Sequence, residues 1–263
     1  MYLSLRLSRH RERTSATMKT LGTTLLVLLG MLVLRQPVVG QATPALAAAV
    51  AAAQQQYTVS FAGNPHLYNG PEYVDYAKRY QSRTGHQFFL WPDKQLGSVY
   101  YNGQAFKNVQ LAYDVVLDQV VLPHPTSPLL LRLINEKVDR FDINEHHFRR
   151  LVADSASSQI MRTGFYEVLV DSSVQVLAKR AKRLQEHVVQ PTVAVEFTTT
   201  DRLFIKKAGT YYAIKRKANA MRLFSDKNKE MQKFVQQNKL TLNRLPLEAS
   251  VVQLARYYCS LPQ

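Results

Sequence analysis

Five residues in the stretch EKVDRFDINEHHF carry the groups from which metal sites and acid–base centres are built: Asp139, Asp142, Glu145, His146 and His147. Carboxylates hold divalent cations and move protons, and imidazoles do both near neutral pH. Their spacing argues against a shared centre. If His146 and His147 lie in a strand, adjacent side chains leave by opposite faces and cannot reach one ion. A polar turn between two strands accounts for the composition, so no metal and no cofactor is expected. A hydrolase of unknown class built on Asp142, Glu145 and His146 stands as an alternative. The sequence has no G-x-S-x-G, H-E-x-x-H, G-x-x-x-x-G-K, G-x-G-x-x-G or C-x-x-C motif, which removes the usual catalytic signatures and points away from an enzyme.

Two basic runs are the other chemically distinctive feature: Lys179, Arg180, Lys182 and Arg183, then Lys215, Arg216 and Lys217. Gathered on helical or strand faces, they would attract a phosphate-rich or carboxylate-rich polymer. The whole chain has 34 basic and 19 acidic residues, net +15. Part of that charge belongs to a leader. Lys19, an apolar run over 21–34 and Val38-Val39-Gly40 read as a secretory signal cut between Gly40 and Gln41, with Met18 a plausible start behind the Arg-rich residues 1–17. Arg35 and Pro37 interrupt the run before it reaches the length of a membrane span, so the mature chain is expected to have no transmembrane segment. Beyond residue 40 the chain holds 28 basic and 18 acidic residues, net +10. Export to a periplasm, envelope or medium makes nucleic acid an improbable partner and anionic envelope polymers or lipid head groups better ones. Cys259 is the only cysteine, which rules out an intramolecular disulfide. With no basic residue placed locally to activate it, Cys259 reads as a buried structural thiol.

The elements that must position these groups are strands. Residues 41–56, rich in Ala and Gln, read as a frayed helix or flexible tether, and a single domain is expected over 57–263. Asn102-Gly103 marks a two-residue hairpin that pairs Val99 with Phe106 and Tyr101 with Gln104. A turn at Ala208-Gly209 gathers Leu203, Ile205, Tyr212 and Ile214 on one face and leaves Lys206 and Lys215 on the other. The stretch 165–177 is apolar on both faces and should be covered on both. Further extended runs fall at 111–117, 120–122, 129–134, 137–141, 148–152 and 193–199. The period changes after residue 225. Amphipathic helices are expected over about 225–238, capped by Ser225 or Asp226, and about 246–260, opened by Pro246. The fold class is therefore mainly β, an antiparallel meander that is barrel-like or a sandwich, with two C-terminal α-helices, α+β overall.

The segments LYNGPEY, GSVYYNGQAFKNVQLAYDVV, GFYEVLVDSSVQVLAKRAKR and SDKNKEMQKFVQQNKL together resemble an uncharacterised family of secreted Bacteroidota proteins. The resemblance covers most of the chain after residue 40 and implies an address in a Gram-negative envelope. Its motifs are structural, so it implies no catalytic residue. The expected function is that of a non-catalytic envelope protein contacting an anionic polymer or lipid through basic faces. A carrier with an apolar barrel cavity is a second alternative beside the hydrolase.

Overall fold

Two turns set the register of the sheet. The computed structural model describes residues 44–60, 66–189, 192–238 and 246–262; the expected signal segment lies outside them. Strand β2 (Gln95–Tyr101) turns into β3 (Gln104–Asp114) through Asn102 and Gly103, at φ 51° and 80°, and pairs Val99 with Phe106 and Tyr101 with Gln104. Strand β12 (Arg202–Lys207) turns into β13 (Thr210–Ile214) through Ala208 and Gly209, at φ 50° and 79°. Both are the two-residue turns expected from the sequence, with positive φ at both central residues.

The intervening chain forms β4 (Gln119–Pro123), β5 (Leu130–Arg132), β6 (Val138–Ile143), β7 (His146–Leu151), β8 (Gly164–Asp171) and β9 (Val174–Lys179). These build a ten-stranded antiparallel sheet in the order β13-β12-β9-β8-β7-β6-β2-β3-β4-β5. Its two end strands do not pair with each other, so the meander is not a closed barrel. A second sheet of three strands has the order β1 (Ser82–Thr84), β11 (Thr192–Thr199), β10 (Lys182–Val189), with β1 parallel to β11. Neither β1 nor β10 is among the strands expected from the sequence. All three residues of β1 are exposed, and Gln185 to Val188 of β10 are exposed in succession, so neither strand writes an alternating pattern.

Aromatic rings fill one face of the larger sheet. Phe141 stacks on Phe148 with centroids 4.7 Å apart, and Phe165 and Tyr113 close on them edge-on at 5.2 and 5.1 Å. All four are essentially fully buried. Burial of each contributes about 1.5–3 kcal/mol of hydrophobic stabilisation. Strands β8 and β9 are covered on both faces, as their composition requires. Val176 and Ala178 pack under the C-terminal helices, while Leu177 turns the other way onto Tyr166, Phe204 and Met161.

Helix α1 spans Pro44–Ser60, where a frayed helix or tether is expected; its alanines have the highest helix propensity of any residue. After the sheets come α2 (Lys217–Leu223), α3 (Asn228–Gln237) and α4 (Leu247–Ser260). The stripe Val251, Leu254, Ala255 and Tyr258 buries α4 against β8 and β9. Pro246 sits at the cap position, one residue earlier than expected. Helix α2 is an addition to the two expected helices. Neither Ser225 nor Asp226 caps α3; both lie in a 3-10 turn, and Asp226 instead accepts bonds from Tyr258 Oη at 2.5 Å and Lys207 Nζ at 2.7 Å. Cys259 is half-buried and accepts a hydrogen bond from Ser173 Oγ at 3.4 Å. Among the described residues no helix is long and apolar enough to cross a membrane.

Candidate functional site

Alternation along β8 carries a carboxylate onto the apolar side of the sheet. Glu167 lies two residues after Phe165 and so follows it onto the same face, where it is 4 % exposed. A buried carboxylate without partners costs several kcal/mol. Glu167 has two partners: Arg180 Nε donates to Oε2 at 2.5 Å, and His146 Nδ1 lies 2.6 Å from Oε1. Arg180, in the bend between β9 and β10, also donates to Asp201 Oδ2 at 2.8 Å and grips Glu248 with two bonds of 2.7 and 2.9 Å. Its guanidinium stands over the Phe89 ring at 5.9 Å. Burial alone would loosen the Arg180 proton, but the bonds to Glu248, Glu167 and Asp201 more than offset it and hold the pKa above its ordinary value. One cation thus ties β8, the β11–β12 bend and the start of α4 together.

The acidic and histidine cluster separates as strand alternation requires. His146 turns inward to Glu167 and lies edge-on to Phe89 at 5.0 Å; His147 turns outward to Asp142 Oδ1 at 2.7 Å. Glu145 stays in the exposed turn with Asn144. Asp142, Glu145 and His146 therefore do not share partners, and among the described residues no hydroxyl or thiol is hydrogen-bonded to His146. Nor do the described residues contain a group of three or more His, Cys, Asp or Glu side chains that could hold a metal ion.

The first basic run is largely engaged inside the fold. Lys179 Nζ bonds Asp118 Oδ1 at 2.6 Å and Phe165 O at 3.0 Å, and burial lowers its pKa against the pull of Asp118. Gly164 leaves room for that pair, since a Cβ there would come within 2.2 Å of Asp118 Oδ2. Lys182 Nζ donates to His86 O and Phe88 O at 2.8 and 2.6 Å. Only Arg183, on β10, is exposed and without an ion pair among the described residues. In the second run Lys215 and Arg216 are exposed, whereas Lys217 opens α2 with its Nζ buried and without a hydrogen-bond partner among the described residues.

Comparison with protein-family models, curated proteins and solved structures found no match.

Exposed cations without an ion pair among the described residues occur along the whole fold, at Lys78, Arg83, Lys107, Lys137, Arg162, Arg183 and Arg202, but they are densest near the C-terminus. Residues 215–263 hold ten basic and three acidic residues, net +7, against eighteen and fifteen over 41–214. Two of those three acids are already ion-paired, Asp226 with Lys207 and Glu248 with Arg180. Lys229 and Lys233 are four residues apart on α3 and each two residues from buried Met231. That places them on one exposed side, opposite the packed one. Arg222 of α2 and Arg256 of α4 are exposed as well. Beside this layer a groove of about 1070 Å³ runs along β13, lined by the cations Lys215, Arg202 and Arg222, by Ile214, Tyr211 and Leu247, and by the carboxylates Asp201 and Glu248, both of which are held by Arg180. Sequence reading missed the Arg222, Lys229, Lys233 and Arg256 group. Its signal was the scarcity of acids after residue 201, and not any short basic run.

Proposed function

We propose that the protein is a non-catalytic, exported component of the cell envelope that holds a phosphate- or carboxylate-bearing surface through its C-terminal helical layer. The observation that carries this is the charge of that layer: Lys215, Arg216, Arg222, Lys229, Lys233 and Arg256 are exposed and without ion-pair partners among the described residues. Each such cation near an anionic lipid surface contributes about 1 kcal/mol. Lys179, Arg180 and Lys182 play another part in this account, fixing strands and the α4 start from within. The apolar side of the sheet is packed with Phe141, Phe148, Phe165 and Tyr113, which favours a binding surface over a carrier with a barrel cavity.

Flotation with vesicles of phosphatidylglycerol, against phosphatidylcholine as control and an acidic polysaccharide resin as a second arm, tests this directly. Binding should require the acidic component and weaken steadily with salt, because the Debye length shrinks to about 8 Å at physiological ionic strength. Equal association with phosphatidylcholine, or binding indifferent to salt, would overturn it. Preference for the resin over vesicles identifies a polymer, and the reverse a lipid head group.

A further inference from the structure

The two edges of the ten-stranded sheet are treated differently by the chain. At β5 the segment Pro71 to Tyr73 lies along the edge, with Tyr73 N–H donating to Leu130 O at 2.7 Å and Arg132 N–H to Pro71 O at 2.9 Å. At the other end β13 has no strand beyond it among the described residues. Turn geometry identifies which of its backbone groups are free. A two-residue turn at Ala208-Gly209 makes Lys207 and Thr210 a hydrogen-bonded pair, and alternation then assigns backbone bonds to Ile205 with Tyr212 and Leu203 with Ile214. The N–H and C=O of Tyr211 and Ala213 therefore point away from β12. They point along the groove of about 1070 Å³, which consecutive residues 211–215 line from both faces of the strand. A space bordered by both faces of one strand follows its edge.

We propose that this edge takes up an extended, acidic segment of a partner polypeptide as an additional antiparallel strand. Backbone bonds to Tyr211 and Ala213 would give affinity, and alternate side chains would fall on opposite sides of the edge, one set against Tyr211 and Phe204, the other against Ile214 and Leu247. Carboxylates on the segment meet Arg202, Lys215 and Arg222, none of which has an ion pair among the described residues. An acyl chain would use the apolar walls and leave the free backbone groups unmatched. A second copy of this chain would present residues 210–216, TYYAIKR, to the edge, which offer its cations no carboxylate. The site shares Lys215 and Arg222 with the cationic surface of the proposed function but not Lys229, Lys233 or Arg256.

The test uses a fluorescein-labelled peptide of about ten residues alternating valine and glutamate, long enough for one strand, with fluorescence anisotropy against the chain. Ala213→Pro removes an outward donor on an exposed edge residue and should weaken binding at least about tenfold, as loss of a backbone bond in a desolvated site requires. Lys215→Glu with Arg222→Glu should do the same, as should alternate N-methylation of the peptide. These last two decide the matter if Ala213→Pro does not fold. Vesicle flotation of the Ala213→Pro variant should stay at the wild-type level, which separates this site from the helical layer. Absence of peptide binding, equal binding of the N-methylated peptide or of polyglutamate, or displacement of the peptide by self-association of the chain would each overturn the proposal.

Discussion

Arg180 and Glu248 are joined by two bonds, Nη1 to Oε2 at 2.7 Å and Nη2 to Oε1 at 2.9 Å, across 68 positions of sequence. The same guanidinium reaches Glu167 in β8 and Asp201 before β12, so removing it leaves the buried Glu167 carboxylate with His146 alone and frees the start of α4. Arg180→Met should cost about 3–5 kcal/mol, the usual penalty for breaking a buried pair from one side. Urea unfolding measures this. A midpoint equal to wild type would show Arg180 to be an ordinary surface residue.

Leu177 is 2 % exposed and packs on Tyr166, Phe204 and Met161. Leu177→Asp would place an unpaired charge in that layer and should destabilise the fold by at least about 3 kcal/mol. Leu177→Met, which nearly conserves volume, should cost less than about 1.5 kcal/mol. Similar midpoints for the two variants would contradict the packing.

His86 gives the fold an acid sensitivity. Burial, reinforced by the Lys182 charge, lowers its pKa from the ordinary 6.5, so the native state holds the ring neutral while the unfolded chain takes up a proton near that value. The resulting stability is complete above pH 6.5 and is lost as pH falls from there through the folded pKa. In His86→Gln that component disappears. Urea midpoints of wild type and variant should therefore converge or cross as pH falls below 6.5; parallel curves would remove His86 from the account.

The sheet was legible where turn chemistry is local. Asn102-Gly103 and Ala208-Gly209 specify their own φ values and so fix the pairing of Val99 with Phe106 and of Ile205 with Tyr212. The period-3.6 stripe of Val251, Leu254, Ala255 and Tyr258 was equally plain. Strand β10 was not, because Lys182 and Arg183 begin it and its exposed residues follow one another without alternation. The fates of Lys179 and Arg180 were hidden for a different reason. Their partners Asp118, Glu167, Asp201 and Glu248 lie 13 to 68 positions away, and only the folded sheet brings them together. Short-range sequence also concealed that His146 pairs with Glu167, 21 residues on, and not with the neighbouring Asp142 or Glu145.

The measurement that bears most directly on the central claim is vesicle binding by two sets of charge reversals at one ionic strength. Lys229→Glu, Lys233→Glu and Arg256→Glu together change exposed residues of α3 and α4 and should leave the urea midpoint within about 0.5 kcal/mol of wild type for each. Phosphatidylglycerol binding should fall by about 3 kcal/mol or more, since each reversal removes about 1 kcal/mol of attraction and adds repulsion. Arg183→Glu alters another exposed cation, on β10 outside the helical layer, and should change binding by no more than its own single-charge share. Undiminished binding by the triple variant, or a loss no greater than that of Arg183→Glu, would contradict a contact made through the C-terminal layer.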